Sequence, residues 1–321
     1  MKKIISFQVC LWVLGTVLFL FQKQVVVGAT PPHHEPQWEP LATAPQNHDE
    51  VVDLLITPTQ TLLALNFDRV AYLNTALENK KALETGLPFS WNPVDFIDKY
   101  NGTNCLGTSL FLQKNWGPKW GVPLSVAPAV SGQQSGAFSH TAALVKTNQG
   151  FVLVDVALHE PQPISLTQQE PEFAGDAGLF QWDQGRDVIV FNHYKVQFNY
   201  EYKLLHLNNS VSLVMPHVFK NNPIYIIQSV NADGLLKAYV YFNFCNRKIK
   251  YNHSTRHGFI EKSTGIDSLT SVDKVLQFLP QCVSIQLNLD TYTLASRLWE
   301  VIENWEWLEK TLGIPSEVCN P

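Results

Sequence analysis

The chain is poor in charge, in cysteine and in methionine. Only 16% of its 321 residues are charged, and it has 5 cysteines and 2 methionines. A soluble domain usually carries about 25% charged residues. There is no long basic block, and the formal net charge is -5. Both facts exclude a nucleic-acid partner, because such binding runs on neutralised phosphates. So few cysteines in so long a chain exclude a disulfide-dependent miniprotein. The sequence has no CxxC, no HExxH and no tight Cys/His cluster, so no metal site is expected. His33-His34 stand in a proline-rich stretch with no fixed frame. What is plentiful is apolar: 45% hydrophobic and 12% aromatic residues. That content excludes disorder for most of the chain and suffices for a large core or several subdomains.

The first segment reads as a targeting device. Lys2 and Lys3 precede an apolar run from Ile4 to Phe21, and Val27-Gly28-Ala29 offers a cleavage site. This is the order of a secretory signal peptide over residues 1–29, the alternative being a retained signal anchor. Later apolar stretches are short and alternate with polar residues, so no membrane partner is expected after signal removal. Secretion, or residence in the secretory lumen, follows. The sequons at Asn101, Asn208 and Asn252 fit that route as glycosylation acceptors. The cysteines after the signal, Cys105, Cys245, Cys282 and Cys319, allow three complete pairings, or one pair and two free thiols.

Residues 30–49, with Pro31, Pro32, Pro36, Pro40 and Pro45, read as an extended leader. From residue 50 to 125 apolar residues recur near helical spacing, for example Leu62, Leu65, Val70, Leu73 and Leu77, which predicts a helical subdomain. Gly86 and Pro88 end its longest run. A small-residue loop over 128–139 follows, and then the period falls to two. Residues 142–146 and 151–156 make a hairpin around Thr147-Asn148-Gln149-Gly150. Further strands are expected up to about residue 240. Beyond it, residues 241–321 read as a mixed region with a helix over 268–278, a strand over 282–287 and one closing helix over 292–312.

The chemistry rests on three residues. Cys105 follows a Gly102-containing turn and opens an apparent helix, where a thiol pKa falls. If Lys146 pairs with Phe151, then His140 and Asp155 share one sheet face as diagonal neighbours. Asp155 stands between Val154 and Val156, where an unpaired carboxylate is costly, and His140 is its simplest partner. A Cys/His/Asp set makes a thiolate, fixes the ring tautomer and carries acyl groups as a thioester.

Gly102-Thr103-Asn104-Cys105, Leu110-Phe111, the run from His140 to Val145 and the run from Gly150 to Val156 together resemble the arylamine N-acetyltransferase pattern. The resemblance is specific near these residues and reaches from about residue 60 to 245. It implies an α+β fold: an N-terminal helical subdomain carrying Cys105, a central β-barrel over 126–240 carrying His140 and Asp155, and a C-terminal α/β lid with a closing helix over 241–321. It implies Cys105 as the acyl-carrying nucleophile, His140 as base and Asp155 as orienter. No cofactor is held tightly; acetyl-CoA or another activated acyl compound enters as co-substrate. CoA thioesters are mainly intracellular, so a secreted relative is expected to use another donor. The partners are a small acyl donor and an amine acceptor, a peptide included. With Cys105 set aside as the free nucleophile, two of Cys245, Cys282 and Cys319 are expected to pair, Cys282 with Cys319 as the first choice.

Two other classes share these residues. A secreted papain-like or transglutaminase-like amidase or transamidase has the same Cys, His, Asp order. A non-catalytic binding protein on the same fold is the third reading. Trp116, Phe138 and Tyr194, with Trp120 and Tyr200, are the candidates for lining a substrate pocket, against the plainer reading of core packing. His159 and His193 are further polar candidates near the site.

Overall fold

The computed structural model describes residues 47–87, 92–131, 138–167, 172–174, 178–193, 199–208 and 224–312. The signal segment, almost all of the leader, Tyr194 and Cys319 lie outside these residues. No described helix is long and apolar enough to cross a membrane.

Helix α1 (His48–Leu63) is capped by Asn47, whose side chain accepts the Asp49 and Glu50 N–H groups. Those two acids lie in its first turn, where the helix dipole favours them. The helix buries Val51, Leu55 and Leu62 against the body. Its first residue is tied down as well: His48 Nδ1 meets Thr147 Oγ1 at 2.7 Å and Nε2 meets Ser165 Oγ at 2.6 Å. Next come strand β1 (Asn66–Asp68) and helices α2 (Val70–Glu78), α3 (Lys80–Thr85) and α4 (Asp95–Tyr100). Strand β2 (Gly102–Thr103) leads into helix α5 (Cys105–Phe111), which continues as a π-helical turn over Leu112–Trp116 and ends in α6 (Gly117–Trp120).

The central body is one antiparallel sheet of eight strands: β3 (Ser125–Ser131), β4 (Phe138–Lys146), β5 (Gly150–Val154), β6 (Ile164–Thr167), β7 (Glu172–Ala174), β8 (Gly178–Asp183), β9 (Val188–His193) and β10 (Asn199–Lys203). Their order is β6-β5-β4-β3-β10-β9-β8-β7. The two edges curl together, β6 lying against β7 and β8, so the sheet is a nearly closed barrel. The period of two sorts the side chains. Ala142, Leu144, Phe151 and Leu153 fill the interior with Phe180, Phe191 and Tyr202. Ala143, Val145, Val152 and Val154 face outward and receive α1. Gly150 closes the hairpin because a Cβ there would stand 2.0 Å from the Leu166 carbonyl oxygen.

The barrel ends at β10, earlier than the expected residue 240. Strands β11 (Ile224–Val230) and β12 (Leu236–Asn243) join a second sheet with β13 (Lys248–Thr255) and β14 (Gly258–Gly265), in the order β14-β13-β12-β11-β1-β2. The strands β1 and β2 therefore interrupt the helical stretch and attach it to the C-terminal half. One face of this sheet packs on α7 (Val272–Phe278), α8 (Gln281–Gln286), α9 (Thr291–Glu303) and α10 (Trp305–Leu312). The expected strand over 282–287 is helix α8, and the expected single closing helix breaks at Asn304. Ser271 caps α7, accepting the Lys274 N–H, as its position suggests.

The expected Cys282–Cys319 disulfide is not formed, because Cys282 is a free thiol 3.5 Å from the His253 ring. Cys245 is disulfide-bonded instead. Asn252, one of the sequons, is buried in β13. That burial leaves no room for a glycan in the folded chain.

A buried ion pair joins the two ends of the chain. Arg297 Nη2 of α9 donates to Asp68 Oδ2 at 2.7 Å, and its Nε donates to Asn74 Oδ1 at 3.1 Å. Asp68 is fully buried. Removing one partner from such a pair leaves an uncompensated charge. Arg297→Met is expected to lower stability by about 3–5 kcal/mol, read as a shift of the urea unfolding midpoint. A change below about 1 kcal/mol, the range of a surface pair, would contradict this account of the clamp.

Candidate active site

The thiol is placed by a short strand that turns into a helix. Asn104, between β2 and α5, accepts the Gly107 N–H at 2.9 Å and donates its amide to the Tyr72 hydroxyl. Thr103 Oγ1 donates to the Pro93 carbonyl at 3.0 Å. A Cβ on Gly107 would come within 1.8 Å of that Thr103 hydroxyl and 2.7 Å of the Pro93 carbonyl oxygen. Only glycine lets this first turn pack so closely. Cys105 thus sits at the first helical position, as a free thiol 8% exposed.

The hairpin register brings His140 and Asp155 together. Lys146 pairs with Phe151 and Ala143 with Val154, which is the pairing that puts the two residues diagonally on the interior face. His140 Nε2 and Asp155 Oδ2 are 2.6 Å apart. The same carboxylate oxygen accepts the Tyr202 hydroxyl. Its other oxygen, Oδ1, has no hydrogen-bond partner among the described residues. Tyr200 stacks on the His140 ring at 4.4 Å between centroids. With Nε2 engaged by Asp155, the ring has Nδ1 left, and the His140 side chain acts on the ionisation of the Cys105 thiol. The Thr141 backbone N–H also favours the ionised sulfur.

The electrostatics follow. Burial works against a charged His140, but the Asp155 carboxylate overrides it and raises the imidazole to about 10. Burial also works against a thiolate, yet the His140 side chain and its charge bring Cys105 below its ordinary value. Both shifts run toward a thiolate beside an imidazolium. Burial lowers His159 to about 4, so its ring is neutral and its Nε2 accepts the Gln228 amide at 2.6 Å. Burial, and then the Asp155 charge, raises Glu160 to about 7. A cavity of about 20 Å³ lies behind the start of α5, lined in part by Thr103, Asn104, Thr108, His159 and Gln228. It has room for a water-sized group only.

The pocket candidates separate. Phe138 packs with Ala71, Tyr72, Phe96 and Tyr100, next to the thiol through Tyr72. Trp116 does not reach the triad. It stacks on Trp120 at 5.9 Å and packs into the layer between α1 and the barrel, because three turns of helix carry it away from Cys105. Tyr194 lies outside the described residues. His193 is buried at the end of β9, beside Phe191. No cluster of three or more metal-ligating side chains occurs among the described residues.

No protein-family model matches the chain, and no curated protein matches it either. The site is known from its geometry alone.

Sequence reasoning missed Tyr202, Tyr72 and the Asn104 cap. A signal for the first was present, since Tyr200 and Tyr202 alternate with charged neighbours on one strand and so share the interior face. Tyr72 had none, for it reaches the site across a tertiary contact.

Cys105 alkylation by iodoacetamide should rise through a midpoint below the free-thiol value of about 8.5, and Asp155→Asn should move that midpoint upward by removing the charge that holds His140 protonated. The His140 charge, raised in the folded state, stabilises the fold fully below about 6.5, the value of a free imidazole, and this support is lost as pH rises through about 10. Tyr202→Phe should cost about 1.5–3 kcal/mol, the range for a hydrogen bond to a charged group, by chemical denaturation. An alkylation profile matching a free thiol would refute the ion pair.

Proposed function

We propose that the protein is a cysteine-dependent acyltransferase working through a thioester on Cys105. The observation that carries this reading is the buried relay of a free thiol, His140 and Asp155, closed by the Tyr202 hydroxyl. The Cys105 thiolate attacks the carbonyl carbon of an acyl donor. The bond to the leaving group breaks, and the His140 imidazolium gives that group its proton. An amine then attacks the thioester, its carbon–sulfur bond breaks, His140 takes the amine proton beside the restored thiolate, and the amide leaves. Asp155 keeps the ring oriented throughout and stabilises the imidazolium in the steps where the ring holds the proton.

The arrangement of helices, barrel-like sheet and α/β region agrees with the resemblance to arylamine N-acetyltransferases and with the roles it implies for the three residues. In that reading the acceptor is an amine and the donor an activated acyl compound, drawn from a secretory compartment. The low exposure of Cys105 favours a slim donor over a folded protein substrate.

Incubation with simple acyl thioesters should add one acyl mass to the intact protein, and an amine should discharge it. Cys105→Ala should abolish the adduct, and His140→Ala should slow its formation by roughly 100-fold or more, the scale of a lost general base. An adduct that survives Cys105→Ala, or no adduct with any thioester, ester or amide, would leave a binding protein as the better reading. Discharge by water alone would make it a hydrolase.

A further inference from the structure

The position of Cys105 has a counterpart one strand away. Strands β1 and β2 run parallel, with Asn66 opposite Gly102 and Phe67 opposite Thr103. Continued by two residues, this register sets Asp68 beside Asn104 and Arg69 beside Cys105. Both strands then turn into helices, Arg69 preceding α2 as Asn104 precedes α5. Neighbouring strands lie about 4.8 Å apart, so Arg69 and Cys105 leave the sheet side by side at the same edge.

Arg69 is a cation without an acid. It is half-buried, and no described carboxylate forms an ion pair with it. The nearest acid in sequence, Asp68, is already used: Oδ2 takes Arg297 and Oδ1 takes the Ala71 N–H. The Arg69 guanidinium instead lies 5.9 Å from the centre of the Tyr225 ring. It acts electrostatically on the hydroxyls of Tyr72 and Tyr200, and so does Cys105. Tyr200 in turn lies flat on His140. A guanidinium with its donors unspent, bordering the same tyrosines as the nucleophile, is suited to a carboxylate.

We propose that Arg69 binds a carboxylate on the substrate that acylates Cys105, so that the preferred donor carries a short acyl group ending in an acid. The inference rests on Cys105 as the nucleophile, and the test separates the two. Iodoacetate and iodoacetamide differ by one charge on a nearly identical frame. Their rate ratio at Cys105 reads the anion preference and cancels any change in thiol reactivity. The ratio should exceed that of N-acetylcysteine in the same buffer by roughly tenfold, within the range for a charge pair between water and a half-buried setting. Arg69→Gln should lower it several-fold, leaving only the share that the His140 imidazolium sustains. Arg69→Lys should keep part of the preference, and higher salt should weaken it. In the same way, the mono-thioester of a dicarboxylic acid should load the wild-type protein faster than the acetyl ester of the same thiol. A wild-type ratio no greater than that of N-acetylcysteine, or a ratio equal in Arg69→Gln, overturns the role of Arg69 while leaving the nucleophile intact. A Cys105 inert to both reagents overturns the nucleophile and this role together.

Discussion

A carboxylate taken out of water needs compensation, and Asp155 is the charge around which the site is arranged. It stands at the end of an apolar strand, 2% exposed, with one oxygen accepting from both His140 and Tyr202. Isolated in the barrel, that charge would be expensive. The protonated imidazole of His140 neutralises it, and the same proton holds the Cys105 sulfur toward its ionised form. The activation of the thiol is therefore a consequence of how one buried acid is satisfied. Tyr200, lying flat on the imidazole, restricts the ring to the orientation in which Nε2 meets Asp155.

The second constraint is where the thiol is held. Cys105 comes off β2, a strand of two residues that has no stability of its own. It is pinned by parallel pairing to β1, which is in turn the neighbour of β11 in a sheet built mostly from the C-terminal half. Asn66 donates to the Leu287 carbonyl at 2.7 Å, and Asp68 receives Arg297. The last third of the chain thus fixes the loop that carries Cys105, while the barrel fixes His140 and Asp155. The site is made where the two sheets meet α5: these three residues come from the first half of the chain, and Tyr202 and the strands that hold β1 and β2 come from the second.

Much of this was legible in the sequence, for local reasons. The hairpin has a four-residue turn between alternating strands, so its register, and with it the His140–Asp155 pair, could be read before the structure. The start of α5 was marked by the turn around Gly102, and α7 by Ser271. The failures are also physical. Residues 66–68 lie inside a run of apolar residues at helical spacing, between Leu65 and Val70, and become a strand only because β2 and β11 offer edges to pair with. Residues 282–287 are rich in Cys, Val and Ile, whose strand preference gives way to packing of α8 beneath β13. The disulfide was misassigned because the approach of Cys282 to His253 is a contact between β13 and α8 that no spacing encodes.

The sequence by itself determined the alternation of buried and outward residues along the hairpin, the helix start at Cys105 and the demand of Asp155 for a partner. Each of these is set within a few residues by sterics, hydrogen-bond capacity and the cost of burying charge. Tertiary structure alone decided that Tyr202 would share the carboxylate, that Trp116 would serve packing, and that β1 would pair with β2. Those depend on strands distant in the chain lying next to each other, and their pairing is chosen by the whole core, not by any one segment.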